Sequence, residues 1–135
     1  MKKILEVAKN MRQHAYVPHS NFRVGAALLT EDGTIVGGCN IESDSYGLTI
    51  CAERNAIFSA IAQGHQKFKS LAVVTTIQGT PCGACRQIIA EHCGNISVVT
   101  ADLAGNQTNF TAYELLPHHF SLAKPVDSKT QEAYE

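Results

Sequence analysis

The sequence predicts an α/β layered domain built on a mixed five-stranded sheet. Two observations carry this. Short apolar, β-prone runs alternate with segments whose apolar residues recur at helical spacing, and clusters of turn-forming residues separate them. At 135 residues the chain is expected to form one domain, 1–135, large enough to bury a core without disulfides.

The elements follow in order. Ile4, Leu5, Val7, Ala8 and Met11 mark a first amphipathic helix within 2–14. Pro18-His19-Ser20-Asn21 reads as a loop. Phe22 to Thr30 and Thr34 to Cys39 are strands joined at Glu31-Asp32-Gly33, a hairpin. Asn40 to Tyr46 is polar and irregular. Thr49 to Gln63 is a helix, with Thr49 the expected N-cap and Gly64 the stop. Leu71 to Thr76 is a buried strand. Gly79-Thr80 turns into a helix over roughly 82–92, with Pro81 in its first turn. Ile96 to Thr100 and Gln107 to Thr111 are the last two strands, and 112–116 is a short helix before Pro117. The tail after about 123 is polar and expected to be poorly ordered.

Composition narrows the function. Charged residues make up 17% of the chain, below the usual share of about a quarter. That fits surface hidden in an oligomer as readily as a plain monomer. The net charge is −1 and Lys and Arg do not cluster, which argues against a nucleic acid polymer as partner. No apolar stretch is long enough to span a bilayer. The first residues carry charge inside their apolar run and read as a helix, not an export signal. Five cysteines, two of them in a CxxC, then fit metal binding in the cytoplasm better than disulfides.

The chemistry concentrates in two motifs, Cys51-Ala52-Glu53 and Pro81-Cys82-Gly83-Ala84-Cys85. Three thiols can bind one zinc and leave its fourth position open, as a catalytic site requires. Both motifs open helices, where the positive helix end stabilises thiolates. Glu53 would shuttle protons at the open position, a pattern described for zinc-dependent nucleobase deaminases. Arg54 and Arg86 could offset the excess charge of three thiolates by donating hydrogen bonds to sulfur. Two other readings stay open: CxxC as a redox pair, and a structural zinc whose fourth ligand is Cys39, Cys93 or a histidine. No histidine has metal-motif spacing.

These residues resemble the cytidine deaminase family in its short, single-domain, homotetrameric form. The resemblance runs over about 5–120. It includes Pro18 to Ala27, Asn40-Ile41-Glu42, Ser45 to Arg54, Pro81 to Gln87, and Glu114 to Pro117 with Phe120. It implies a three-layer α-β-α sandwich and one Zn2+ per subunit, with Cys51, Cys82 and Cys85 as ligands and Glu53 as the catalytic residue. It implies hydrolysis of cytidine and 2′-deoxycytidine to the uridines and ammonia, in pyrimidine salvage. By the same resemblance Phe22 would stack on the pyrimidine, and Asn40 and Glu42 would bind the ribose 3′-hydroxyl. The Ala52 N–H would meet the base O2, and the Thr80 carbonyl would accept from the reacting amino group. Phe120 would enter a neighbouring subunit's site, and Arg54 would contact the ligand sulfurs.

Glu42 beside the sugar would repel a phosphate, so a small neutral nucleoside fits better than a nucleotide. Two departures from the family pattern fall near the pocket. Ser43-Asp44 stands where Asn-Ala is usual, and the stretch 75–79 before Thr80 is slightly short. They leave open a modified cytosine, a free base or another amino-heterocycle as substrate. A non-enzymatic alternative is a zinc-stabilised binding module.

Overall fold

Among residues 2–122, which the computed structural model describes, the elements run α1 (Lys2–Met11), β1 (Gly25–Thr30), β2 (Ile35–Cys39), α2 (Ala52–Ala62), β3 (Phe68–Thr75), α3 (Gly83–Cys93), β4 (Ser97–Asp102), β5 (Gln107–Thr111) and α4 (Ala112–Leu115). The expectation for the tail lies outside the described residues. The strands form one sheet in the order β2-β1-β3-β4-β5. Only β3 and β4 pair in parallel; the other neighbours are antiparallel. The parallel pair is the one joined by a helix, because parallel strands need a long crossover and a hairpin cannot supply one.

Alternation along the strands sorts the side chains onto two faces. Ala26, Leu28, Leu71, Val73 and Val98 pack with Ala56, Ile57 and Ala60 of α2, Ile89 of α3 and Leu115 of α4. Ala27, Ala72, Val74 and Val99 pack with Ile4 and Ala8 of α1 on the other side. The sheet is therefore sandwiched between helices, a three-layer α-β-α arrangement. Burial of both faces explains why β3 reads as a continuous apolar run.

Close approach of α2 to the sheet depends on one glycine. A Cβ at Gly38 in β2 would lie 2.6 Å from the Ala52 carbonyl oxygen and closer still to the Ala56 nitrogen. Helix α2 ends at Ala62 with Gln63 as its C-cap, and Gly64 follows with φ +97°, a left-handed conformation that glycine adopts at little cost.

Several boundaries differ from the sequence expectations; β3 begins at Phe68, not Leu71, where Phe68 pairs with Thr30, and β4 runs on to Asp102. Strand β1 starts at Gly25, not Phe22, because Asn40 takes over the pairing of the preceding residues. Its Oδ1 accepts from Val24 N–H at 2.9 Å and its Nδ2 donates to Phe22 O at 2.8 Å. Thr49 does not cap α2; its hydroxyl accepts from Ser43 N–H at 3.1 Å, and Cys51 is the N-cap. Pro81 precedes the N-cap of α3, Cys82, and lies outside the first turn.

Candidate metal centre

Helices α2 and α3 begin side by side on one face of the sheet, and each begins with a cysteine. Cys51 and Cys82 occupy the two N-cap positions with extended backbones, and neither side chain makes a capping bond. Ser, Thr, Asp or Asn at such positions usually contributes about 1 kcal/mol through that bond. The chain forgoes it and leaves two sulfurs free. Cys85 follows in the first turn of α3, fully buried.

The three sulfurs converge. Cys51 Sγ and Cys82 Sγ are 3.8 Å apart, and all three Sγ atoms lie within 4.8 Å of one another. Three thiolates at about 2.3 Å from a tetrahedral zinc would stand about 3.8 Å apart, so the trio fits zinc with little adjustment. No fourth Cys, His, Asp or Glu joins the cluster among the described residues. Cys39 is buried with Ala15 and Val17, and Cys93 packs against the main core. The structural-zinc alternative therefore lacks its fourth ligand here.

Electrostatics at the trio are those of a site built for a cation. The Cys51 thiol is pulled down to about 5, first by the hydrogen bond it receives from Cys85 and then, against burial, by Arg54. The same bond and burial push the Cys85 thiol up. Binding a metal ion would displace the thiol protons. Arg54 Nη2 donates to Cys51 Sγ at 3.4 Å. Its Nε is buried without a hydrogen-bond partner among the described residues.

Glu53 is 5% exposed. Burial pushes its carboxyl up to about 7; its own backbone N–H pulls it back and the charge on Cys51 pushes it further up. A carboxyl poised there can both take and give a proton near neutral pH.

Arg86 departs from expectation: its bonds go to oxygen, not to sulfur. Nε donates to Pro81 O at 2.8 Å, Nη1 to Leu115 O at 2.9 Å and Nη2 to Thr80 Oγ1 at 2.9 Å. It braces the 80–82 segment against α4. Asn55 has a matching role that the sequence did not single out. Its Nδ2 donates to Cys39 O at 2.8 Å and so fastens the start of α2 to the end of β2. An asparagine one turn into an apolar helix was the only signal.

The remaining candidates form a second group. Glu42 accepts from the backbone N–H of His19 at 2.9 Å and of Ser20 at 3.2 Å, and from the Ser20 hydroxyl. These bonds, the hydroxyl first, hold its carboxyl below the usual range. Asp44, one of the two departures, pairs with His19 Nε2 at 3.1 Å. Ser20 Oγ links this group to Phe22 by accepting from its N–H at 3.0 Å; Asn40 holds the Phe22 carbonyl, and Phe22 is partly exposed. Thr80 is exposed, Ala52 is buried at the first turn of α2, and Phe120 is 71% exposed.

Three thiols at two helix starts, beside a buried glutamate on a five-stranded sheet with one parallel pair, make a candidate catalytic metal centre. Residues 1–101 match the cytidine and deoxycytidylate deaminase zinc-binding region, and the chain belongs to that family. It is 51% identical over 124 residues to a cytidine deaminase of Sporosarcina psychrophila, covering 90% of this chain and 91% of that protein. It is 46% identical over 121 residues to a cytidine deaminase of Halalkalibacterium halodurans, covering 87% of this chain and 92% of that protein. The structure of cytidine deaminase from Burkholderia pseudomallei superposes with a TM-score of 0.86 at 46% identity, over 88% of this chain and 98% of that one.

Proposed function

We infer that this chain is a zinc-dependent aminohydrolase that converts cytidine and 2′-deoxycytidine to the uridines and ammonia. The observation that carries the reading is the thiol trio with no fourth protein ligand among the described residues, beside a buried glutamate. The close similarity to cytidine deaminases supports the substrate. Cys51, Cys82 and Cys85 hold the ion, and residues 1–135 act as one catalytic domain. Zinc, when bound, supplies a water acidic enough to attack near neutral pH. Glu53 would take one proton from that water and deliver it to the ring nitrogen as the oxygen bonds to the amino-bearing carbon; it would then take the remaining hydroxyl proton and pass it to the amine as the carbon–nitrogen bond breaks, leaving the uridine carbonyl and ammonia. Arg54 offsets the charge of the thiolates by its bond to Cys51.

The substrate contacts follow from what each group has left to give. A carboxylate has about four acceptor sites, and Glu42 uses three of them on His19 and Ser20 of the 18–21 loop. One remains for a ribose 3′-hydroxyl. Asn40 likewise keeps one amide hydrogen and one oxygen lone pair. Phe22 presents a partly exposed ring for the pyrimidine. The Ala52 N–H, one of the orphan donors of a helix start, meets the base O2, and the Thr80 carbonyl accepts from the amino group. Carboxylates at Glu42 and Asp44 favour a neutral nucleoside over its phosphate.

Exposed Tyr46, Leu48, Ile77 and Phe120 support a homotetramer with shared sites, in which Phe120 serves a neighbour. No described helix is long and apolar enough to cross a membrane. Work in the cytoplasm, in pyrimidine salvage, fits five cysteines that are all free.

The test is ultraviolet monitoring of cytidine, 2′-deoxycytidine, free cytosine and N4-substituted cytosines, with ammonia measured in parallel. Turnover of the two nucleosides is expected. Glu53→Gln should keep zinc and lose about 10²–10⁴-fold in kcat. A variant within tenfold of wild type would remove Glu53 from the proton steps, and preference for free cytosine would overturn the nucleoside reading.

A further inference from the structure

Phe120 poses a physical question. It is a large apolar side chain left 71% exposed, yet its backbone is held at both polar groups by one side chain. Gln87 Nε2 donates to Phe120 O at 2.9 Å, and Phe120 N–H donates to Gln87 Oε1 at 3.2 Å. A carboxamide that satisfies both groups of one residue imitates a strand neighbour and fixes the direction of the chain there. Gln87 is itself steadied, since Nε2 also donates to Glu91 Oε1 at 3.2 Å, one turn further along α3.

The turn leading to Phe120 is fixed in other ways. His118 has φ +56°, a left-handed conformation uncommon outside glycine. His119 stacks on Tyr113 of α4 with ring centroids 5.2 Å apart. Arg86 holds the Leu115 carbonyl. The segment from Leu115 to Phe120 is pinned by two successive residues of α3, Arg86 and Gln87. Ordering a segment costs conformational entropy, and an exposed ring returns nothing for it within its own chain.

We propose that Gln87 is a positioning residue whose carboxamide clamp on the Phe120 backbone fixes the aim of the phenyl ring that closes a nucleoside site. This rests on the reading of Phe120 given above. Gln87 follows the ligand Cys85 by two residues, which at about 100° per residue places it on the opposite side of α3. The clamp therefore faces away from its own chain's thiols, which agrees with the reading above that the ring serves another copy's site. Gln87 acts on substrate affinity and leaves the metal and the proton steps alone.

The experiment is a double-mutant cycle on the zinc-loaded protein with Gln87→Ala, Phe120→Ala and the pair. KM and kcat for cytidine, Kd for uridine and zinc per chain are measured for each. Gln87→Ala should raise KM and the uridine Kd by about tenfold, lower kcat less than it raises KM, and keep one zinc per chain. Phe120→Ala should raise both at least as far. If Gln87 acts only through Phe120, removing it from the Phe120→Ala protein adds nothing. Gln87→Glu sets a carboxylate against the Phe120 carbonyl and Glu91, so its KM should rise at least as far as in Gln87→Ala. Additive effects in the pair, loss of zinc, an equal fall in kcat and kcat/KM, or an unchanged KM in Gln87→Ala would each overturn the proposal. So would an unchanged KM in Phe120→Ala. Wild-type turnover of cytidine, measured in the same series, tests the deaminase reading separately.

Discussion

Gly38→Ala puts a single methyl group between the sheet and the helix that carries Cys51 and Glu53. The backbone at Gly38 is not left-handed, so alanine meets no conformational penalty there and the effect is steric. The new Cβ would sit 2.6 Å from the Ala52 carbonyl oxygen, about 0.8 Å short of the 3.4 Å of an ordinary contact, and closer still to the Ala56 nitrogen. Both obstacles are backbone of α2 and cannot rotate aside, so the first turn of the helix must lift by roughly that distance. Overpacking of this kind costs about 1–3 kcal/mol. A loss of about 2 kcal/mol in a domain of this size lowers Tm by about 7 °C. The lift also moves Cys51 and Glu53 away from Cys82 and Cys85 on the other helix. A misplacement of about 1 Å can cost about 10²-fold in kcat. Thermal melts, zinc content and cytidine turnover of the variant test this together. A Tm within about 1 °C of wild type with unchanged kcat would show that α2 is not seated on Gly38 as described.

Other consequences are as direct. Arg54→Gln removes the donor to Cys51 Sγ, and loss of such a contact to a ligand typically costs about 10–100-fold in metal affinity or activity; zinc titration with kcat/KM checks it. Asp32 is held down to about 2, from 3.8, chiefly by the Thr30 hydroxyl and then by Thr34. A depressed carboxyl stabilises the fold above its unfolded pKa and ceases to do so as pH falls through the folded one. Urea midpoints of Asp32→Ala and wild type should therefore differ by a constant amount above about pH 4.5 and converge toward pH 2. A gap that widened on acidification would reverse the sign.

Much of the architecture was legible because local and tertiary signals agree. Leu71 to Val74 is apolar at every position, and the sheet buries both faces of β3. The spacing of Cys51, Cys82 and Cys85 points to a metal because two of them open helices and the third follows within a turn, and the structure brings the three together. What escaped was decided by distant partners. Arg86 was expected on sulfur, but its fork meets a carbonyl at Leu115, 29 positions away, and no local pattern reports that. Thr49 has the residue type of an N-cap, yet the Ser43 N–H claims its hydroxyl. Asn40 was legible as polar and not as a substitute for strand backbone beside Val24. Gln87 sits inside a recognisable motif, but its partner Phe120 lies 33 positions on.

X-ray absorption at the zinc edge of the purified, zinc-loaded protein puts the central claim at most direct risk. One zinc per chain is expected, with three sulfurs at about 2.3 Å and a single oxygen near 2.0 Å, roughly. Four sulfurs, a nitrogen in the fourth place, or no zinc retained after supplementation would contradict it.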